Sequence, residues 1–137
     1  HQGCSLMNSS AILAKLKALR QIIVQLEPAA DGKPAKTVTI TRPVMGDWEK
    51  FVAFEGGHRV LRADWALSAS YVVDWSGFTE GGILGSEQAP DDAIAAFDLE
   101  LWLFVASDHL DWCKKIGDTL IDSIVVENTK RQADAGN

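Results

Sequence analysis

"SSAILAKLKALRQIIVQLEP", residues 9–28, decides how the rest of the chain is read. Ile12, Leu16, Leu19, Ile23 and Leu26 recur at alternating four- and three-residue steps, the spacing of one helix face. Lys15, Lys17, Arg20 and Gln25 fall off that stripe, Ser9 or Ser10 suits the N-cap, and Pro28 ends the pattern. The spacing predicts a helix over 9–27. Its stripe seats either on the domain core or on a neighbouring subunit, and it is too short to form a coiled coil by itself.

Working outward, "PAADGKPAK" (28–36) is a turn-rich connector with Asp31-Gly32 at its tight point. "KTVTITRP" (36–43) alternates strictly, with Val38 and Ile40 on one face and Thr37, Thr39 and Thr41 on the other. It reads as a half-exposed strand ended by Pro43. No strong second strand follows, so its backbone groups need partners from the N-terminal region or from a copy of the protein.

The remaining periodicities read as helices. Asp47 is placed to cap a short one through Phe54, which "EGG" (55–57) breaks. A longer one is predicted from about His58 to Asp74, with Val60, Leu61, Trp65, Leu67 or Ser68, and Val72 at helical spacing. In "YVVDWSGF" (71–78), Val72, Val73 and Trp75 continue that helix, Ser76-Gly77 end it, and Phe78 packs back as a cap contact. "GFTEGGILGSEQ" (77–88) has four glycines and no period, and reads as a loop. Pro90 suits a first helical position, followed by Asp91 and Asp92 in the first turn and by Ile94, Phe97, Leu101 and Phe104 on one face, to about Ala106. Asp108 is placed to cap a last helix that turns Leu110, Cys113, Leu120 and Ile124 inward. The expected fold is mainly α: a compact helical domain of about five helices, with a small β element near residues 36–42.

At 137 residues, one domain is expected, spanning 7–127. Residues 1–6 look like an expression scar, with His1 the end of a purification tag, and 128–137 read as a flexible C-terminal tail. Excluding the scar sets Cys4 aside and leaves Cys113 alone, so no intramolecular disulfide is expected and the chain reads as cytosolic. The densest apolar run, "LELWLFVA" (99–106), is too short to span a membrane. Asp and Glu number 19 against 13 Lys and Arg, the opposite of the bias that a phosphate-backbone binder shows.

Reactive constellations are sparse. His109 and Cys113 are four residues apart and, with Asp108 or Asp111, make a conceivable metal site; His58 has no partner at ligand spacing. A helix-start histidine and a buried thiol is the simpler account. Asp111, Asp118 and Asp122 share a side of the last helix, and Asp91-Asp92 sit at a helix start, but nothing indicates the dry cleft that acid–base work needs. No G-x-S-x-G occurs, and "EGGILG" (80–85) lacks the Lys-Ser/Thr of a P-loop. Four of the five tryptophans follow an aspartate, which reads as cap chemistry beside core aromatics.

A strand ending in "TRP" (41–43), an acidic-aromatic helix, "VVDWSGF" and an Asp-rich start to a two-helix tail together resemble the tail assembly chaperones of long-tailed bacteriophages. In that family a "vv.dW.g" segment commonly precedes a loop and a helix pair. The resemblance covers roughly residues 37–127, with "PDDAIAAFD" (90–98) and "DHLDWCKKI" (108–116) in the corresponding places, and its motifs are short. It implies a non-enzymatic role without cofactors or metal: self-association into rings or spirals, binding to the tape measure protein, and recruitment of tail tube subunits. It also implies a site in the host cell cytoplasm, outside the mature virion, and no nucleic-acid or membrane partner. The N-terminal stripe departs from the part that resembles the family. Leu16, Leu19 and Ile23 from that stripe, with Phe78, Ile83 and Leu84 from the glycine-rich segment, are the candidate protein-contact residues. The rival readings are another phage head–tail or tail-completion adaptor and, from a different class, a small ligand-binding domain or enzyme that uses the tryptophans as a pocket with His109 or Asp111.

Overall fold

The structure, a computed structural model, describes residues 6–135. It opens with helix α1 (Ser9–Leu19), whose N-cap Asn8 accepts the Ala11 N–H at 2.8 Å. The helix stops at Arg20, and the chain runs straight into strand β1 (Gln21–Glu27). The expected single helix over 9–27 is therefore two elements. Three consecutive β-branched residues, Ile22-Ile23-Val24, resist a helix, and "QIIVQLE" also alternates with period two. Leu26 fits both periods, whereas Ile23 fits the helical one only: in the strand they face opposite ways, with Leu26 buried and Ile23 71% exposed.

Strand β2 (Lys36–Thr41) forms where the alternation predicts it, with Val38 and Ile40 buried. Its partners lie within the chain. Antiparallel β1 flanks it on one side and β5 (Val72–Ser76) on the other. The registers align Val24, Val38 and Trp75 in one row and Ile22, Ile40 and Val72 in the next, so six apolar side chains share the core face. On the reverse face Ile23, Thr39 and Asp74 align.

Between β2 and β5 the chain makes a short 3-10 helix (Met45–Phe51), strands β3 (Val52–Glu55) and β4 (His58–Leu61), and helix α2 (Trp65–Ala69). Gly56 and Gly57, at φ +57° and +80°, form the two-residue turn of the β3–β4 hairpin, not the end of a helix. The Arg62 guanidinium, just past the open end, donates back to Glu55 beside the turn with hydrogen bonds of 2.5 and 2.6 Å. The predicted helix over 58–74 thus resolves into β4, α2 and β5, with Asp64 capping α2 through the Leu67 N–H at 2.8 Å. "YVVDWSGF" is a core strand and its exit. Gly77 follows at φ +85°, where a Cβ would run into the Ala35 carbonyl.

The segment expected to be a loop holds helix α3 (Glu80–Leu84), capped by Thr79. The helix expected from Pro90 starts later, as α4 (Leu99–Ala106), capped by Asp98. Residues 93–95 pair instead with 78–80: the Glu80 N–H bonds the Ala93 carbonyl at 2.8 Å and the Ala95 N–H bonds the Phe78 carbonyl at 3.0 Å. The Ala95 carbonyl also accepts the Trp75 indole at 2.8 Å. Helix α5 (Leu110–Ala135) closes the described chain and continues helical through 128–135, the segment expected as a tail.

The mainly α expectation is therefore overturned. Among the described residues, five strands in two antiparallel sheets make this an α/β protein, with one core cluster formed by the β1–β2–β5 face, α2, α4 and α5. The centre of that core is aromatic. Trp102 and Trp112 stack at 6.4 Å, and Trp75 stacks on Phe78 at 4.2 Å. Phe78 also meets Trp112 edge-on at 5.8 Å, joining the two pairs.

Candidate functional site

Helix α1 is the first feature that the core does not explain. None of its residues is buried: Ile12, Leu13 and Leu16 are about half-exposed and Leu19 is 79% exposed. An isolated helix of this length is marginal in water, because helices in proteins draw most of their stability from packing an apolar face. Its cations, Lys15, Lys17 and Arg20, make no ion pair among the described residues, and the helix holds no acidic residue.

The second feature is an apolar groove of about 390 Å³ where α3 meets the α4–α5 corner. Phe78 and Trp112 form its floor, Ile83, Leu101 and Val105 its walls, and Leu84 and Phe104 its mouth. Thr79 and Asp98 fix the two helix starts through side-chain caps of 2.9 Å each. Gly81 lets α3 approach the 89–91 turn, since a Cβ there would sit 2.7 Å from the Ala89 carbonyl oxygen. At the floor, His109 stacks on Trp112 at 3.6 Å, and the Trp112 indole donates to Glu27 at 3.1 Å. Lys36 pairs with that same Glu27 at 3.5 Å and lies 5.8 Å from the Trp112 ring.

The candidate contact residues divide accordingly. Leu16, Leu19 and Ile23 are exposed, on α1 and on the outward face of β1, while Leu84 at the groove mouth is 62% exposed and Ile83 is a half-buried wall. Phe78 is only 3% exposed and packs within the core, so it presents the groove with a floor and no protruding side chain. Phe104, 76% exposed, belongs to the surface, although helical periodicity placed it on one face with Ile94, Phe97 and Leu101. The available signal was that "LELWLFVA" is apolar at every position but Glu100, while the core covers only Trp102 and Ala106 of α4 completely.

The groups considered for chemistry have structural surroundings. No cluster of three metal-ligating side chains occurs among the described residues, and Cys4 and His1 lie outside them. Burial, with the Asp111 carboxylate adding to it, pushes the Cys113 thiol up and away from the reactive thiolate. Burial also pushes Tyr71 up to about 12, helped by the Asp47 charge and by its hydrogen bond to that carboxylate at 3.2 Å. Of the tryptophans proposed for a ligand pocket, Trp75 and Trp102 spend their indole N–H groups on the Ala95 and Ala69 carbonyls. Ser68 Oγ is fully buried and unpartnered, pressed against α5 at Gly117, where a Cβ would come within 2.7 Å of it.

Comparison with protein-family models, with curated proteins and with solved structures finds no match to this chain.

Proposed function

We propose that this chain is a non-catalytic assembly protein that associates with copies of itself. In line with the resemblance to tail assembly chaperones, it would bind the tape measure protein in the host cell cytoplasm and help to recruit tail tube subunits around it. The observation that carries the reading is α1, an eleven-residue amphipathic helix with no buried residue. Covering a leucine or isoleucine fully is worth roughly 1.5–3 kcal/mol, so an ordered helix that leaves four of them half-exposed or more is matched to a surface outside its own domain.

Two measurements test the proposal. Light scattering across a concentration series gives the solution mass, expected to rise above the single-chain 14.9 kDa. A pull-down with a tape measure protein as bait separates a tail assembly chaperone from a head–tail or tail-completion adaptor. Assembly without capture would leave the adaptor reading in place.

A further inference from the structure

We propose that α1 of one copy seats in the α3–α4 groove of the next copy, a head-to-tail contact. This rests on the self-association proposed above and adds which surface meets which.

Charge selects the pairing. No Asp or Glu precedes Glu27, so α1 offers Lys15, Lys17 and Arg20 alone beside its apolar stripe. From residue 63 to 113 the chain holds ten Asp and Glu and no Lys or Arg. That stretch builds the groove apart from Lys36, whose charge is already paired with Glu27 at 3.5 Å. Asp108 lines it, and Asp98 and Glu100 line the adjoining surface that shares Leu101 and Phe104. Apolar side chains flanked by cations would thus meet apolar side chains flanked by carboxylates. Pairing α1 with another α1 would instead crowd cations together, a juxtaposition that costs affinity.

Position within the fold sets the geometry. Helix α1 enters the sheet at Gln21, which pairs with Thr41, and the Arg20 carbonyl accepts the Arg42 N–H at 2.7 Å. The groove borders the other end of the same two strands, where Glu27 accepts the Trp112 indole and Lys36 lines the wall. A strand of this length holds the two ends roughly 20 Å apart. A donor helix at one end and an acceptor groove at the other make a heterologous contact, which repeats from copy to copy into a closed ring or an open spiral.

The test uses two full-length double variants. Leu16→Asp/Leu19→Asp spoils the helix and leaves the groove intact; Leu84→Asp/Phe104→Asp does the reverse. All four side chains are half-exposed or more, so circular dichroism should match the unaltered protein; if the groove variant fails to fold, Phe104→Asp alone replaces it. Each variant alone is expected to run at the single-chain mass where the unaltered protein assembles. Mixed in equal amounts they should form a two-chain species that grows no further, because the mixture holds only one working helix and one working groove per pair. Raising salt should weaken that species. Two variants that stay monomeric when mixed, or a groove variant that assembles like the unaltered protein, would overturn the pairing while leaving self-association standing. An unaltered protein that is monomeric throughout would remove the self-association reading itself. Monomers that sediment with anionic vesicles would assign α1 to a lipid surface and overturn the proposal.

Discussion

Helices α1 and α5 carry similar apolar periodicity and end in opposite states. Along α5, Trp112, Cys113, Ile116, Leu120 and Ile124 are buried; along α1 nothing is. The difference lies in what each helix can reach. Lys115 of α5 donates to the Leu26 carbonyl at 2.6 Å, Glu127 pairs with Arg42 at 2.6 Å, and Gly117 lets Ser68 of α2 approach without a clash. Helix α1 leaves the sheet at the open edge of β1, which pairs on one side only. Periodicity announces that a face exists, and the topology decides whether the same chain supplies its cover.

That comparison breaks first at the core. Trp102→Ala removes a fully buried ring and its hydrogen bond to the Ala69 carbonyl, and should cost about 3–5 kcal/mol in urea unfolding. Gly117→Ala should cost roughly 1–3 kcal/mol, since the new methyl lies 2.7 Å from Ser68 Oγ and 3.3 Å from the Ala63 Cβ. On α1 the same measurement should barely respond: below the assembly concentration, Leu16→Asp/Leu19→Asp should shift unfolding by no more than about 0.5 kcal/mol. A larger loss would mean that α1 packs on its own domain. A further test concerns alkaline pH. Tyr71, the one tyrosine, has its folded pKa raised above the ordinary value of 10.0 to about 12, so its contribution is complete below pH 10 and is lost as the pH rises toward 12. Tyrosinate absorbance in the folded protein should therefore develop late. A midpoint at the unperturbed value would contradict the buried Tyr71–Asp47 pair.

Legibility followed the same divide. Strand β2 was readable because its alternation has no competing helical period, and its predicted inward residues, Val38 and Ile40, are buried. Strand β1 was not, because Ile23 and Leu26 extend the helical stripe of 12–19, and the strand signals, the β-branched run at 22–24 and the alternation of Ile22, Val24 and Leu26, were read as part of it. Strand β5 depends on pairing with residues more than thirty positions earlier, which local pattern cannot express. The Gly56-Gly57 turn between short alternating segments was available as a hairpin signal and was read as a break. At the candidate site, Leu16, Leu19, Ile23 and Leu84 stand exposed, while the aromatic cluster draws Phe78 into the core. Grouping Phe104 with Ile94, Phe97 and Leu101 on one face did not show that it stands exposed, because α4 is apolar at every position but Glu100.

The central claim is that the exposed face of α1 is covered by another copy. Light scattering of the unaltered chain beside Leu16→Asp/Leu19→Asp, over one concentration series, tests it most directly. The account predicts a mass that climbs with concentration for the unaltered protein and stays at 14.9 kDa for the variant. Identical curves for the two proteins, whether both monomeric or both assembled, would contradict it.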